Sequence, residues 1–171
     1  TGHQNLPSVE MNAAGAFVVT WKSNSGATKY DIVARRYSAA GAPLGNEFRV
    51  NTNLVDDQDL PTVAMDDDGA FAVAWMTRAT VDGSGRGIFA RRYDASGTAL
   101  GPDVQVNTTA SGNQDRPSIA MNPTGESVIV WVSGNNQDGD KNGVFGQRYD
   151  MAGAAQGGEF RVNTTTADNQ D

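Results

Sequence analysis

LPSVEMNAAGAFVVTW, residues 6–21, returns twice in the same chain, as LPTVAMDDDGAFAVAW (60–75) and RPSIAMNPTGESVIVW (116–131). Each copy has Pro at its second position, turns at NAAG, DDDG or NPTG, and closes on Trp. Two further segments recur in the same order: YDIVARRY, RGIFARRY and NGVFGQRY (30–37, 86–93, 142–149), then NEFRVNT, PDVQVNT and GEFRVNT (46–52, 102–108, 158–164). A chain that repeats itself at a fixed period is read first as an array of equal structural units. Here the period is 56 residues between the second and third copies, Pro61 to Pro117.

The spacings separate rigid parts from variable ones. Pro to Trp is 14 residues in every copy, and Tyr to the Asn of the VNT segment is also 14. Only Trp to Tyr varies, at 16 residues in the first copy and 18 in the others. All the length variation therefore falls in one loop per unit, and loops are where insertions and function are tolerated.

Within a unit the apolar residues alternate with period two: Val9 and Met11, then Phe17, Val19 and Trp21, then Ile32 and Ala34, then Phe48 and Val50. Turn residues punctuate these runs and no window has helical spacing. The expected fold is all-β, with three tandem four-stranded antiparallel units, 4–57, 58–113 and 114–169, folded as β-propeller blades. A β-trefoil or β-prism, which also use three four-stranded units, is the alternative. Propellers close with about 4–8 blades. Three blades therefore imply either a longer array or two chains completing a six-bladed ring and covering each other's open strand edges.

The combined pattern Q-x-x-P-x-[VI]-x-M-[DN]-x-x-G, V-x-W, G-[IV]-[FY]-x-x-R-Y-D and E-F-x-V-N-T resembles tandem repeats of very large secreted or surface proteins of bacteria. Such repeats neighbour cadherin-like, Calx-β-like or calcium-binding nonapeptide regions. The resemblance spans the whole chain. It implies an extracellular or cell-surface module without assigned catalytic residues. The first unit departs from it, because KSNSGATKY (22–30) is short and has no Asp-Gly step.

Composition narrows the function. The net charge is −7, which leaves no basic surface to neutralise phosphates and argues against a nucleic-acid partner. No run of apolar residues is long enough for membrane insertion. Cys is absent, which excludes disulfides, thiolate metal sites and a cysteine nucleophile. Of the 20 acids, 16 are Asp, the residue of turns and of calcium loops.

Strand alternation places the loop after each second strand and the link between units on one face. That face gathers RATVDGSGRG (78–87), SGNNQDGDKNG (133–143), NTNLVDDQDL (51–60) and NTTASGNQDR (107–116). Asp138, Asp140 and Asn142 stand at alternate positions before Gly143, which is the opening of a calcium loop. The bidentate Glu that completes an EF-hand is replaced by Tyr149. Asp82 is the single carboxylate of the equivalent second loop. Calcium is the one cofactor suggested, and a turn rich in Asp-Gly is the competing reading. Gln58–Asp59 and Gln114–Asp115 recur before the Pro. They are either structural ties between units or a ligand-binding set for sugar hydroxyls. The recurring Trp residues are read as core between blades. Arg36, Arg92 and Arg148 are expected to pair with Asp31, Asp94 or Asp150.

The inventory for catalysis is thin. His3 is the only histidine, and the paired acids fall in turns. The expected function is therefore a non-enzymatic structural or adhesive repeat module. The alternative is a lectin that binds glycans on the Asp/Gln-rich face.

Overall fold

The structure is a computed structural model that describes residues 2–24, 29–78, 83–134, 137–139 and 141–165. Twelve strands form three separate four-stranded antiparallel sheets. Unit 1 holds β1 (Gln4–Met11), β2 (Phe17–Ser23), β3 (Asp31–Tyr37) and β4 (Phe48–Arg49). Unit 2 holds β5 (Gln58–Met65), β6 (Phe71–Thr77), β7 (Gly87–Tyr93) and β8 (Val104–Gln105). Unit 3 holds β9 (Gln114–Met121), β10 (Ser127–Ser133), β11 (Gly143–Tyr149) and β12 (Ala155–Arg161). Each sheet is a meander in sequence order, and the first strands β1, β5 and β9 pack side by side. These strands line the inside of the array, and the fourth strands form its outer rim. Among the described residues no helix is long and apolar enough to cross a membrane.

The hairpin chemistry follows the sequence closely. Asn12, Asp66 and Asn122 each accept, through the side-chain Oδ1, the backbone N–H of the residue four positions on. Gly15, Gly69 and Gly125 close those turns at φ between 85° and 90°, where a β-carbon is unfavourable.

The cores lie between units, not within them. One cluster joins Val18, Ile32 and Val50 of unit 1 to Val63, Phe71, Val73 and Trp75 of unit 2. The other joins Ala72, Met76, Ile88 and Val106 of unit 2 to Ile119, Ile129, Trp131 and Phe145 of unit 3. Burying each such side chain contributes about 1.5–3 kcal/mol, so neighbouring sheets hold one another. Trp75 and Trp131 are fully buried in these cores. Each indole Nε1–H donates to a glutamine 17 residues upstream, Trp75 to Gln58 at 2.9 Å and Trp131 to Gln114 at 3.0 Å.

The expected carboxylate partners of the strand-three arginines are not what the structure shows. Arg36 donates to the backbone carbonyls of Ala95, in the next unit, and of Leu44. Arg92 donates to the carbonyl of Asp150 at 2.8 Å, also one unit on. These side chains lie across the β7–β8 and β11–β12 turns, against Gly97 and Gly153. A guanidinium satisfies several carbonyls at once in its fixed planar fork, so no carboxylate is needed. Asp31 instead lies 3.9 Å from Arg49 and accepts from Asn51 Nδ2 at 2.8 Å.

Each inner strand has a defect at the same place. The register slips between Asn5 and Ser8, between Asp59 and Thr62, and between Val130 and Val132 on the partner of β9. The residues before the prolines, Leu6, Leu60 and Arg116, take φ of 53°, 51° and 52°. Such a left-handed non-glycine residue is strained, and a bulge re-aims the side chains on either side of it.

Candidate functional site

The bulges set the geometry at the mouth of the inner strands. Residues beyond the proline, such as Val63 and Met65, point into the core. Across the slip, Gln58 and Gln114 turn inward as well, and both are fully buried. Besides accepting from tryptophan, Gln58 donates to the Asp56 carbonyl at 3.0 Å and Gln114 to the Ser111 carbonyl at 3.3 Å. Their hydrogen-bonding atoms face the protein, so they tie each link to the next sheet.

Asp59 is also buried. It receives Lys22 Nζ from unit 1 at 2.9 Å and Arg78 of its own unit at 2.7 Å. Burial alone would raise its carboxyl, but hydrogen bonds from Lys22 and Arg78 outweigh it and hold the group below the usual carboxylate range. Arg78 is pushed up chiefly by its hydrogen bond to Asp59, and it also feels Asp57 and Asp115. The sequence marks neither Lys22 nor Arg78, because neither recurs at its aligned position.

Asp115 differs from Asp59 in being open to solvent on one side. Its Oδ2 lies 2.5 Å from Arg86 of unit 2, and its Oδ1 accepts from the Arg116 N–H at 2.9 Å. Between units 2 and 3 this pair borders a polar recess of about 390 Å³, lined by Arg86, Asn113, Asp115, Arg116 and Asn142 around Val132. Backbone contacts hold its walls. Gln114 N donates to Arg86 O at 2.9 Å, and Gly134 N donates to Asn113 O at 2.8 Å. Gly85 lets the unit 2 loop approach the link, since a β-carbon there would stand 2.7 Å from Gly112 O. The recess is on the face where links and β-hairpin loops meet. Thr109 of the second link accepts from Gln137 of the third loop at 2.9 Å.

Of the four residues read as calcium ligands in the second and third loops, Asp82 and Asp140 lie outside the described residues. Asp138 is buried and points inward, where its Oδ2 accepts from Asn163 Nδ2 at 2.9 Å. It does for Asn163 what Asp31 does for Asn51, from a position upstream of the strand. Gly143 makes this possible, because a β-carbon there would meet the Asp138 carboxylate at 2.7 Å. Asn142 lines the recess. Among the described residues no group of three or more His, Cys, Asp or Glu is placed to hold a metal ion.

No family model matches the chain. No curated protein matches it either. Solved structures do. The Hadza microbial sialidase Hz136 superimposes with a TM-score of 0.66 at 11% identity, over 94% of this chain and 37% of that one. The Penicillium chrysogenum alpha-L-arabinanase complexed with arabinobiose gives 0.60 at 13%, over 95% and 51%. The β-propeller domain of the Trilobed protease from Pyrococcus furiosus gives 0.53 at 12%, over 95% and 43%. At these identities the likeness shows the fold, a β-propeller array, and the chain spans about half or less of each of these three neighbours. The names of further neighbours, arabinanases, a xylanase and an arabinofuranosidase, are also those of glycan-cleaving enzymes. The expectation of a non-enzymatic structural or adhesive module is corrected by these neighbours, as most of them are glycoside hydrolases.

Proposed function

We propose that this protein is a carbohydrate-acting propeller that binds glycan in the polar recess between units 2 and 3. The observation behind this reading is the recess itself. It offers guanidinium donors from Arg86 and Arg116, carboxylate acceptors from Asp115, and the amides of Asn113 and Asn142 around one apolar side chain. Vicinal sugar hydroxyls each donate and accept, so they need both kinds of group at close spacing, and a few fixed polar groups in a concave site provide the orientation. The volume of about 390 Å³ suits one or two sugar rings. Neighbours named as acting on arabinan, xylan and sialic-acid glycans support the same class of ligand. Of the residues expected to bind ligand, Asp115 lines the recess and the buried Gln114 precedes it in β9, while Gln58 and Asp59 have their contacts with Trp75, Lys22 and Arg78 instead. The repeat resemblance further suggests placement outside the cell, where polysaccharide is met.

A second reading, glycoside hydrolysis, is favoured by the enzyme names among the neighbours. It requires a pair of carboxyls in different protonation states. Asp115 is the carboxylate on the recess wall where a glycan would meet it, whereas Asp59 is buried against Lys22 and Arg78.

Calorimetric titration against arabinan, xylan and sialylated oligosaccharides tests both readings, with reducing-end release followed in parallel. Saturable binding that Asp115→Ala abolishes supports glycan recognition. Absence of binding to every polysaccharide tried would sink it. New reducing ends, lost in Asp115→Asn while the fold is kept, would establish hydrolysis.

A further inference from the structure

We infer that the exposed edge of unit 3 docks onto unit 1 of a second copy of this chain, so that two copies close a six-bladed ring. Inside the chain, consecutive units meet through recurring contacts, and each terminal unit displays one half of every one of them.

The first contact is a carboxylate that captures the preceding link. Asp103 of unit 2 accepts from Thr52 N at 2.7 Å, Thr52 Oγ1 at 2.8 Å and Asn53 N at 3.3 Å. Glu159 of unit 3 accepts from Thr108 N at 2.8 Å, from Thr108 Oγ1 and from Thr109 N at 3.3 Å. The aligned acid of unit 1 is Glu47, exposed; the aligned link of unit 3 is Thr164 and Thr165, also exposed. The second contact is the arginine laid across the following unit's glycine turn. A β-carbon at Gly97 would stand 2.6 Å from Arg36 Nε, and one at Gly153 would stand 2.9 Å from Arg92 Cδ. In unit 3 the aligned Arg148 is exposed. In unit 1 the aligned Gly41 keeps the same turn, at φ 76°, with nothing within 4 Å of a β-carbon.

The apolar faces show the same complementarity. Val63 of β5 is 3% exposed where unit 1 covers it, whereas its counterpart Val9 of β1 is 59% exposed. Val50 at the end of unit 1 is 0% exposed beneath unit 2, whereas its counterpart Val162 is 49% exposed. The indole of Trp21 is left with a buried Nε1–H that has no partner among the described residues, and the aligned Gln4 stands exposed. Covering β1 with another unit places Gln4 as Gln58 and Gln114 are placed. The occupant is therefore a surface with the arginine, the threonine link and the apolar edge of unit 3, and a second copy provides all three. A head-to-tail contact of this kind closes into a ring or runs on as a filament. These three units and three from a second copy make six, within the usual range of about 4–8 blades.

Sedimentation velocity and native mass spectrometry of the 171-residue chain decide the matter. The expected species is a particle of two chains. Glu47→Ala removes the carboxylate half of one contact, and Gly41→Asn puts a side chain where the arginine of the other copy must lie. Both are at exposed positions of a single chain, and each weakens the dimer about tenfold or more. Glu159→Ala breaks the same kind of contact within the chain; it lowers the melting temperature of the protein and leaves the dimer dissociation constant unchanged. A monomer at all concentrations overturns the inference, as do assemblies that grow beyond two chains. Dimers indifferent to both Glu47→Ala and Gly41→Asn overturn it too.

Discussion

Gln58→Leu is the most informative single perturbation of the fold. The substitution keeps the side-chain size and removes the acceptor of the Trp75 indole and the donor to the Asp56 carbonyl. Trp75 is 1% exposed, so its Nε1–H has no access to water. An orphaned buried donor costs about 1–3 kcal/mol. The Asp56 carbonyl sits in a half-buried link and recovers solvent, so the whole loss is about 2–3 kcal/mol. For a chain of this length that corresponds to a fall in melting temperature of roughly 4–12 °C. Trp75→Phe removes the donor and also leaves a void, so on its own it is destabilising as well. In the double variant no polar atom of the pair is left stranded. The cycle therefore yields a coupling energy of about 1–2 kcal/mol, within the range for residues in direct contact. Urea unfolding followed by circular dichroism, at one protein concentration for all four proteins, measures it. Strictly additive losses would refute the argument that the Gln–Trp pair ties link to sheet.

Four further outcomes follow from the same structure. Asp59→Asn strands Lys22, whose side chain is 10% exposed, and lowers stability by about 3–5 kcal/mol in urea unfolding. The folded-state pKa of Asp59 is depressed, so its contribution is present above the unfolded value of about 4 and is lost as pH falls through the lower folded value; thermal melts on the acid side show a loss that Asp59→Asn lacks. Burial pushes Tyr93 and Tyr149 up to about 12, so each stabilises fully below pH about 10 and loses roughly 2–3 kcal/mol as pH rises to about 12, a decline that Tyr93→Phe reduces in alkaline melts. Asp138→Ala removes the partner of Asn163 and lowers the melting temperature equally in chelator and in calcium, which differential scanning calorimetry reads directly.

The repeat made most of the fold legible. Three copies at constant spacing fixed the strand count, the hairpin turns and the face on which loops and links converge, because period-two patterning and turn residues are local signals. Contacts between units were harder to read. Arg36 and Arg92 look, along the strand, as though they need a nearby Asp, but their partners are carbonyls 59 and 58 residues away. Asp103 and Glu159 each stand four residues before the Asn of VNT, as Glu47 does, and that regularity was available as a signal for the capture of the preceding link. The recess was only partly visible: Asp115 and Asn142 were singled out, but Arg86 and Arg116 have no counterparts in unit 1, so recurrence did not mark them. Lys22–Asp59 is likewise a contact between one unit's individuality and the next's.

The slip before each proline has a consequence for how such proteins diversify. It breaks every inner strand into two stretches that obey different rules. Beyond the proline, spelling is constrained by the hydrophobic interior. Ahead of it, Asn5 and Leu6, Asp59 and Leu60, and Asp115 and Arg116 occupy the same backbone places with different chemistry. Because the register is reset at the slip, those pairs can be rewritten without shifting a single residue of the interior. The array thus works as a keyboard of interchangeable positions, one pair per unit, on which new specificities can be composed while the frame that holds them stays unchanged.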